Sequence, residues 1–155
     1  MFLAPWFHAP DPEISIAAST WPHLKVLGLK PIPLSWPVNT QHPTLTSLHS
    51  LALNCPKLVY LAINVDMQAS VSLSDLSPIS SHGHCSLKTF ELCGNVFNDS
   101  LYMAQVLEYL FPQLTYVTSG DKEITAIRSC LGLIKHDRLQ GGFAYALLRL
   151  TAQGA

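Results

Sequence analysis

The chain has 155 residues, enough for one domain, with 48% hydrophobic residues, 12% charged residues and a formal net charge of −1. That apolar share excludes a disordered chain, and 9 Lys+Arg against 10 Asp+Glu gives no basic excess for nucleic acid. No run approaches the roughly 18–20 apolar residues that span a bilayer.

The N-terminal MFLAPWFHAP carries no basic residue before Lys25, and Pro5, His8 and Pro10 interrupt it. It therefore reads as no export signal. A helix is expected around Glu13–Thr20, ending at Trp21-Pro22. A strand follows in Leu24-Lys25-Val26-Leu27-Gly28-Leu29. Thr44 is a suitable N-cap for a second helix, whose stripe is Leu45, Leu48, Leu51 and Ala52. Cys55-Pro56 stops it before the next strand, Leu58-Val59-Tyr60-Leu61-Ala62-Ile63. The Ser-rich stretch 67–84 reads as a loop with at most a short helical turn. A third strand is expected in Leu87-Lys88-Thr89-Phe90-Glu91-Leu92. Asp99 then caps a helix with Met103, Ala104, Leu107, Leu110 and Phe111 on one face, stopped by Pro112. A weaker strand copy is Leu114-Thr115-Tyr116-Val117-Thr118-Ser119. Ile124, Ile127, Leu131 and Ile134 line one face of a tail helix from about 122 to 135, before Gly141-Gly142 breaks the chain.

The strands repeat. Their first leucines are 34, 29 and 27 residues apart, and three copies carry a proline two positions earlier: Pro22, Pro56 and Pro112. One such unit cannot bury its own leucines, so neighbours must stack. Asn95 and Asp66 suit the turn position that often carries Asn in leucine-rich repeats; Ile32 and Lys122 do not. The pattern reads as a degenerate leucine-rich repeat. The expected fold is α/β: a short solenoid of about four parallel strands with connecting helices, capped by the tail helix. Residues 1–20 form an N-terminal segment and partial first repeat, 21–120 the repeats, and 121–155 the cap and tail. A partner-binding role for the tail helix is the less favoured alternative.

Three stretches together carry a family resemblance: Trp21-Pro22-His23-Leu24; Thr44-Leu45-Thr46-Ser47-Leu48 leading to Asn54-Cys55-Pro56-Lys57-Leu58; and Asn98-Asp99-Ser100 followed by Val106 to Leu114. In order, these resemble the leucine-rich-repeat region of fungal, mushroom-type F-box proteins, over about residues 11–135. In that family an F-box docks to the adaptor of a cullin–RING (SCF-type) ubiquitin ligase, and the repeats are thought to hold the substrate. The resemblance thus implies a substrate-side module whose partner is an unknown protein. The SCF adaptor is a partner only if an F-box is supplied upstream, since only some twenty residues precede Trp21.

Catalytic and metal chemistry find little support. His82-Gly83-His84-Cys85 with Cys93 offers four zinc-ligand types, but the spacing fits no common motif. A polar loop leading into a strand is the preferred reading there. Cys55 and Cys85 both lie just ahead of their repeats, which argues for packing rather than nucleophilic use. The glycines 132, 141 and 142 form no phosphate loop. Trp21 is expected in the core, while Trp6 and Trp36 are loop anchors or exposed contacts. The expectation is therefore no enzyme, no cofactor, no metal, no nucleic acid and no membrane, with an intracellular location, cytoplasmic or nuclear. Four scattered cysteines fit that reduced setting.

Function is left to the exposed strand face. Alternation points Val26, Gly28 and Lys30; Tyr60, Ala62 and Asn64; Thr89, Glu91 and Cys93; and Tyr116, Thr118 and Gly120 away from the core. The candidate partner-binding residues are Val26, Lys30, Tyr60, Asn64, Thr89, Glu91, Tyr116 and Thr118, with the tyrosines as anchors. The charged share is about half the usual ~25%. This sparseness favours a face covered by more protein, or a truncated gene product with no function of its own. A metal- or thiol-dependent enzyme is a remote third reading.

Overall fold

Three times the chain makes the same corner, and that corner sets the architecture. In the computed structural model, which describes residues 2–3, 10–29, 42–66, 85–92, 99–119 and 124–139, helices α1 (Asp11–Thr20), α2 (Leu45–Asn54) and α3 (Ser100–Leu110) end at Trp21, Cys55 and Phe111. These three residues share one backbone conformation, with φ/ψ of −119/64°, −116/68° and −133/69°. Each N–H closes the last helical turn, onto Ala17, Leu51 and Leu107 carbonyls at 3.0, 3.0 and 2.8 Å. Each carbonyl then accepts from the residue three further on, Leu24, Leu58 and Leu114, at 3.0, 3.0 and 2.9 Å. The prolines at 22, 56 and 112 occupy the second position of these turns, where a fixed φ near −65° is favourable and no N–H is needed.

Each corner feeds a strand. With the two-residue β1 (Phe2–Leu3), strands β2 (Val26–Leu29), β3 (Tyr60–Ile63), β4 (Thr89–Leu92) and β5 (Tyr116–Ser119) form one parallel sheet in chain order. The register keeps equivalent residues abreast: Leu27, Leu61, Phe90 and Val117 make one row. The steps between strands start alike. Val59 and Tyr60 N–H both donate to Lys25 O, Lys88 and Thr89 to Val59 O, and Thr115 and Tyr116 to Lys88 O.

That row, with Ile63, Leu92 and the flanking Leu29, faces the helices and forms the core with Leu48, Leu51, Met103 and Leu107. Phe90 and Phe111 are both fully buried and stack at 6.4 Å between ring centroids. Burying one such ring contributes roughly 1.5–3 kcal/mol.

The helix starts follow their sequence signals. Thr44 Oγ1 accepts from Thr46 N–H at 3.2 Å, and Asp99 Oδ1 accepts from Tyr102 N–H at 2.9 Å. Asp11 adds a tie that the sequence does not announce. From the first turn of α1 its carboxylate accepts from Thr44 N–H at 2.7 Å, Thr44 Oγ1 at 2.6 Å and Ser47 Oγ at 2.5 Å. A negative charge thus sits at the N-terminus of α2, where unpaired N–H groups favour it.

Helix α4 (Ile124–Leu139) packs on α3 and β5. Ile124, Ile127 and Leu131 are buried against the core, as the tail-helix stripe predicts. Trp21 is a correction. It is 40% exposed, whereas Cys55 and Phe111 at the same corner are fully buried. The reason is position: among the described residues α1 has a helical neighbour, α2, on one side only. Of the turn positions expected to suit Asn, only Asp66 lies within the described residues, where its N–H donates to Pro43 O at 2.7 Å. Ile32, Asn95 and Lys122 lie outside them, as do Trp6, Trp36 and the 67–84 stretch.

Candidate functional site

Because side chains alternate along a strand, the residues between the core rows share the opposite face. The register places Val26, Tyr60, Thr89 and Tyr116 abreast, with Gly28, Ala62, Glu91 and Thr118 in the next row. At about 4.8 Å per strand the first row spans about 15 Å. Six of the eight sequence-nominated residues therefore lie together on two rows. Asn64 follows β3 directly, and Lys30 lies outside the described residues, as do Cys93 and Gly120.

The strip is uneven. Tyr116 is 65% exposed, while Val26, Tyr60, Thr89, Glu91 and Thr118 are half-buried. The Tyr60 hydroxyl donates to Glu91 Oε2. Tyr60 is opposite Thr89, and Glu91 is opposite Ala62, so this bond runs diagonally across the sheet face. Gly28 and Ala62, expected to face solvent, are instead both buried, and Ala62 stands apart from the core cluster. Asn64 Oδ1 is buried without a hydrogen-bond partner, an acceptor left over at the end of β3. Such a buried orphan costs on the order of 1–3 kcal/mol.

At the β5 end the strip runs into a cleft of about 360 Å3 between β5 and α4. Leu114, Thr115, Tyr116 and Val117 form one wall; Arg128, Leu131, Gly132 and Lys135 form the other. Arg128 Nε donates to Val117 O at 2.6 Å, and Lys135 Nζ donates to Leu114 O. Behind the cleft Glu108, 4% exposed, accepts from Arg138 Nη1 at 2.5 Å and lies 3.9 Å from Lys135 Nζ. Burial holds the Glu108 carboxyl above the ordinary range, with Arg138 and Lys135 pulling it back. Burial likewise lowers the Lys135 ammonium, opposed by Glu108. The desolvation of both partners thus outweighs their attraction, as is common for buried pairs.

Sequence reasoning missed this cluster, though signals existed. Glu108 falls four residues after Ala104, on the apolar stripe of α3. Arg128, Leu131, Gly132 and Lys135 have the spacing of one helix face.

The cysteines behave as packing residues. Cys55 Sγ points at Ala18 and Trp21 carbonyls, at 3.6 and 3.8 Å, and Cys85 Sγ at Cys55 and Leu58 carbonyls, at 3.3 and 3.6 Å. Burial pushes both thiols up to about 11, which leaves them protonated and weakly nucleophilic at neutral pH. His82, His84 and Cys93 lie outside the described residues; among those described, no three His, Cys, Asp or Glu side chains group as metal ligands. No described helix is long and apolar enough to cross a membrane.

The fold and its two surfaces define an α/β protein with an in-register parallel sheet and helices packed against its core face. Comparison with protein-family models, curated proteins and solved structures finds no match to this chain.

Proposed function

We propose that the chain is a protein-interaction module of the leucine-rich-repeat kind, similar to the substrate-recognition repeats of F-box receptors, and that it holds its partner on the strand face. One observation carries this reading. Three similar helix–turn–strand corners lead into β2, β3 and β5, and the parallel register with β4 completes one continuous row of Val26, Tyr60, Thr89 and Tyr116. A repeated scaffold that presents a flat row of variable side chains suits recognition of an extended protein surface. Tyr116 supplies a large, exposed, amphipathic anchor of the type enriched in binding hot spots. Under this reading the SCF adaptor is engaged only through an F-box supplied upstream.

The test compares partner capture by the full chain with that of Tyr60→Ala/Tyr116→Ala. Hot-spot tyrosines are worth about 2 kcal/mol or more, so the double variant should weaken capture by at least about 30-fold. Its thermal unfolding should remain cooperative. Undiminished capture by a folded double variant would refute the assignment.

A further inference from the structure

We infer that the cleft between β5 and α4 is a second contact site, which takes an acidic peptide segment of the partner, with Arg128 as the carboxylate anchor. The inference rests on the reading of the chain as an interaction module, but uses a different surface from the sheet face.

Size is the first argument. About 360 Å3 lies at the low end of the roughly 300–1,000 Å3 of ligand pockets, room for one or two side chains rather than a large cofactor. Charge is the second. Two cations, Arg128 and Lys135, line the cleft, and no carboxylate does. The Glu108 carboxylate lies behind the wall and is engaged by Arg138 and Lys135. The local balance over Arg128, Lys135, Arg138 and Glu108 is therefore positive.

Geometry is the third argument. Arg128 Nε is tied to Val117 O at 2.6 Å, which holds the guanidinium in place beside the cleft. Its two terminal nitrogens meet no acceptor among the described residues. A planar fork fixed by one bond is prepared for a bidentate carboxylate. The same contacts explain why the ligand enters by side chain and not as an added strand. Val117 O in β5 and Leu114 O just before it already accept from Arg128 and Lys135, whose side chains stand where a further strand would pair. Gly132 keeps the α4 wall low: a Cβ placed there would meet nothing within 4 Å. Tyr116 stands between cleft and strip, so one peptide can touch both.

The full chain is panned against a phage-displayed library of random seven-residue peptides, and the best sequence is synthesised and titrated. The expected result is enrichment of Asp or Glu. The acidic peptide should lose at least tenfold in affinity to Arg128→Gln and to Gly132→Phe, which fills the cleft. Replacing its acidic residue by the amide should do the same. Gly132→Phe guards against misfolding, because open space surrounds that position. Enrichment without acidic residues, or undiminished binding to either variant, would overturn the cleft. If binding instead falls only in Tyr60→Ala, the sheet-face reading stands and the cleft alone fails. If neither surface matters to a bound peptide, both fail.

Discussion

Removing Arg138 and removing Glu108 should have unequal effects, although each breaks the same pair. Glu108 is 4% exposed, whereas the Arg138 and Lys135 side chains are 32% and 27% exposed. Arg138→Met leaves a buried carboxylate with only Lys135, at 3.9 Å. The lost charge-assisted bond is worth about 1.5–3 kcal/mol, and partial exposure of the arginine favours the lower half, about 2 kcal/mol. Glu108→Gln instead leaves two cations that can turn toward water and keeps a side chain of the same shape. It should cost less than about 1 kcal/mol. Urea unfolding at pH 7 measures both, and for a chain of this size 1 kcal/mol is about 2–4 °C in Tm. A second reading comes from pH. The folded chain holds the Glu108 proton more tightly than the unfolded chain does. Stability from this group is therefore fully present below the unfolded carboxyl pKa and is lost as pH rises through the folded value. Arg138→Met removes a charge that favours the ionised form, so its cost should shrink as pH falls and Glu108 takes up its proton. The reasoning is refuted if Glu108→Gln costs as much as Arg138→Met, or if the cost of Arg138→Met is the same at pH 7 and below pH 4.5.

Other expectations follow from single contacts. Gly132→Ala should stabilise the chain by about 0.5–1 kcal/mol in thermal melts, since helix propensity rises and nothing lies within 4 Å. Asp11→Ala removes three hydrogen bonds to Thr44 and Ser47 and should cost about 1.5–3 kcal/mol in urea unfolding. Phe90→Ala empties a fully buried site and should cost about 3–5 kcal/mol. In a Cys93→Ser background, an aromatic disulfide reagent at pH 8 should label the half-buried Cys130 first. Cys55 and Cys85, buried and raised to about 11, should react only on unfolding.

The repeating part of the fold was legible because its causes are local. Thr44 and Asp99 cap the helices they precede, and the prolines at 22, 56 and 112 mark the corners. Alternation then assigned the strand faces. What was missed depends on neighbours distant in sequence. Trp21 shares its corner conformation with Cys55 and Phe111, but among the described residues its helix has a helical neighbour on one side only, which leaves it exposed. The role of Glu108 depends on α4, which brings Arg138 and Lys135 to it from 30 and 27 residues away. The cleft was invisible for the same reason: its walls come from β5 and α4, and the tail helix was read for its apolar face alone.

The most direct test of the strand-face account is site-specific photo-crosslinking of the full chain in its native cells. A photoreactive residue is placed at Thr89 or Tyr116 on the sheet face, and at Ile16, 66% exposed on α1, as a control. The account predicts that the same protein is caught from positions 89 and 116 and not from 16. Capture of that protein equally from position 16, or no capture from the sheet face, would contradict it.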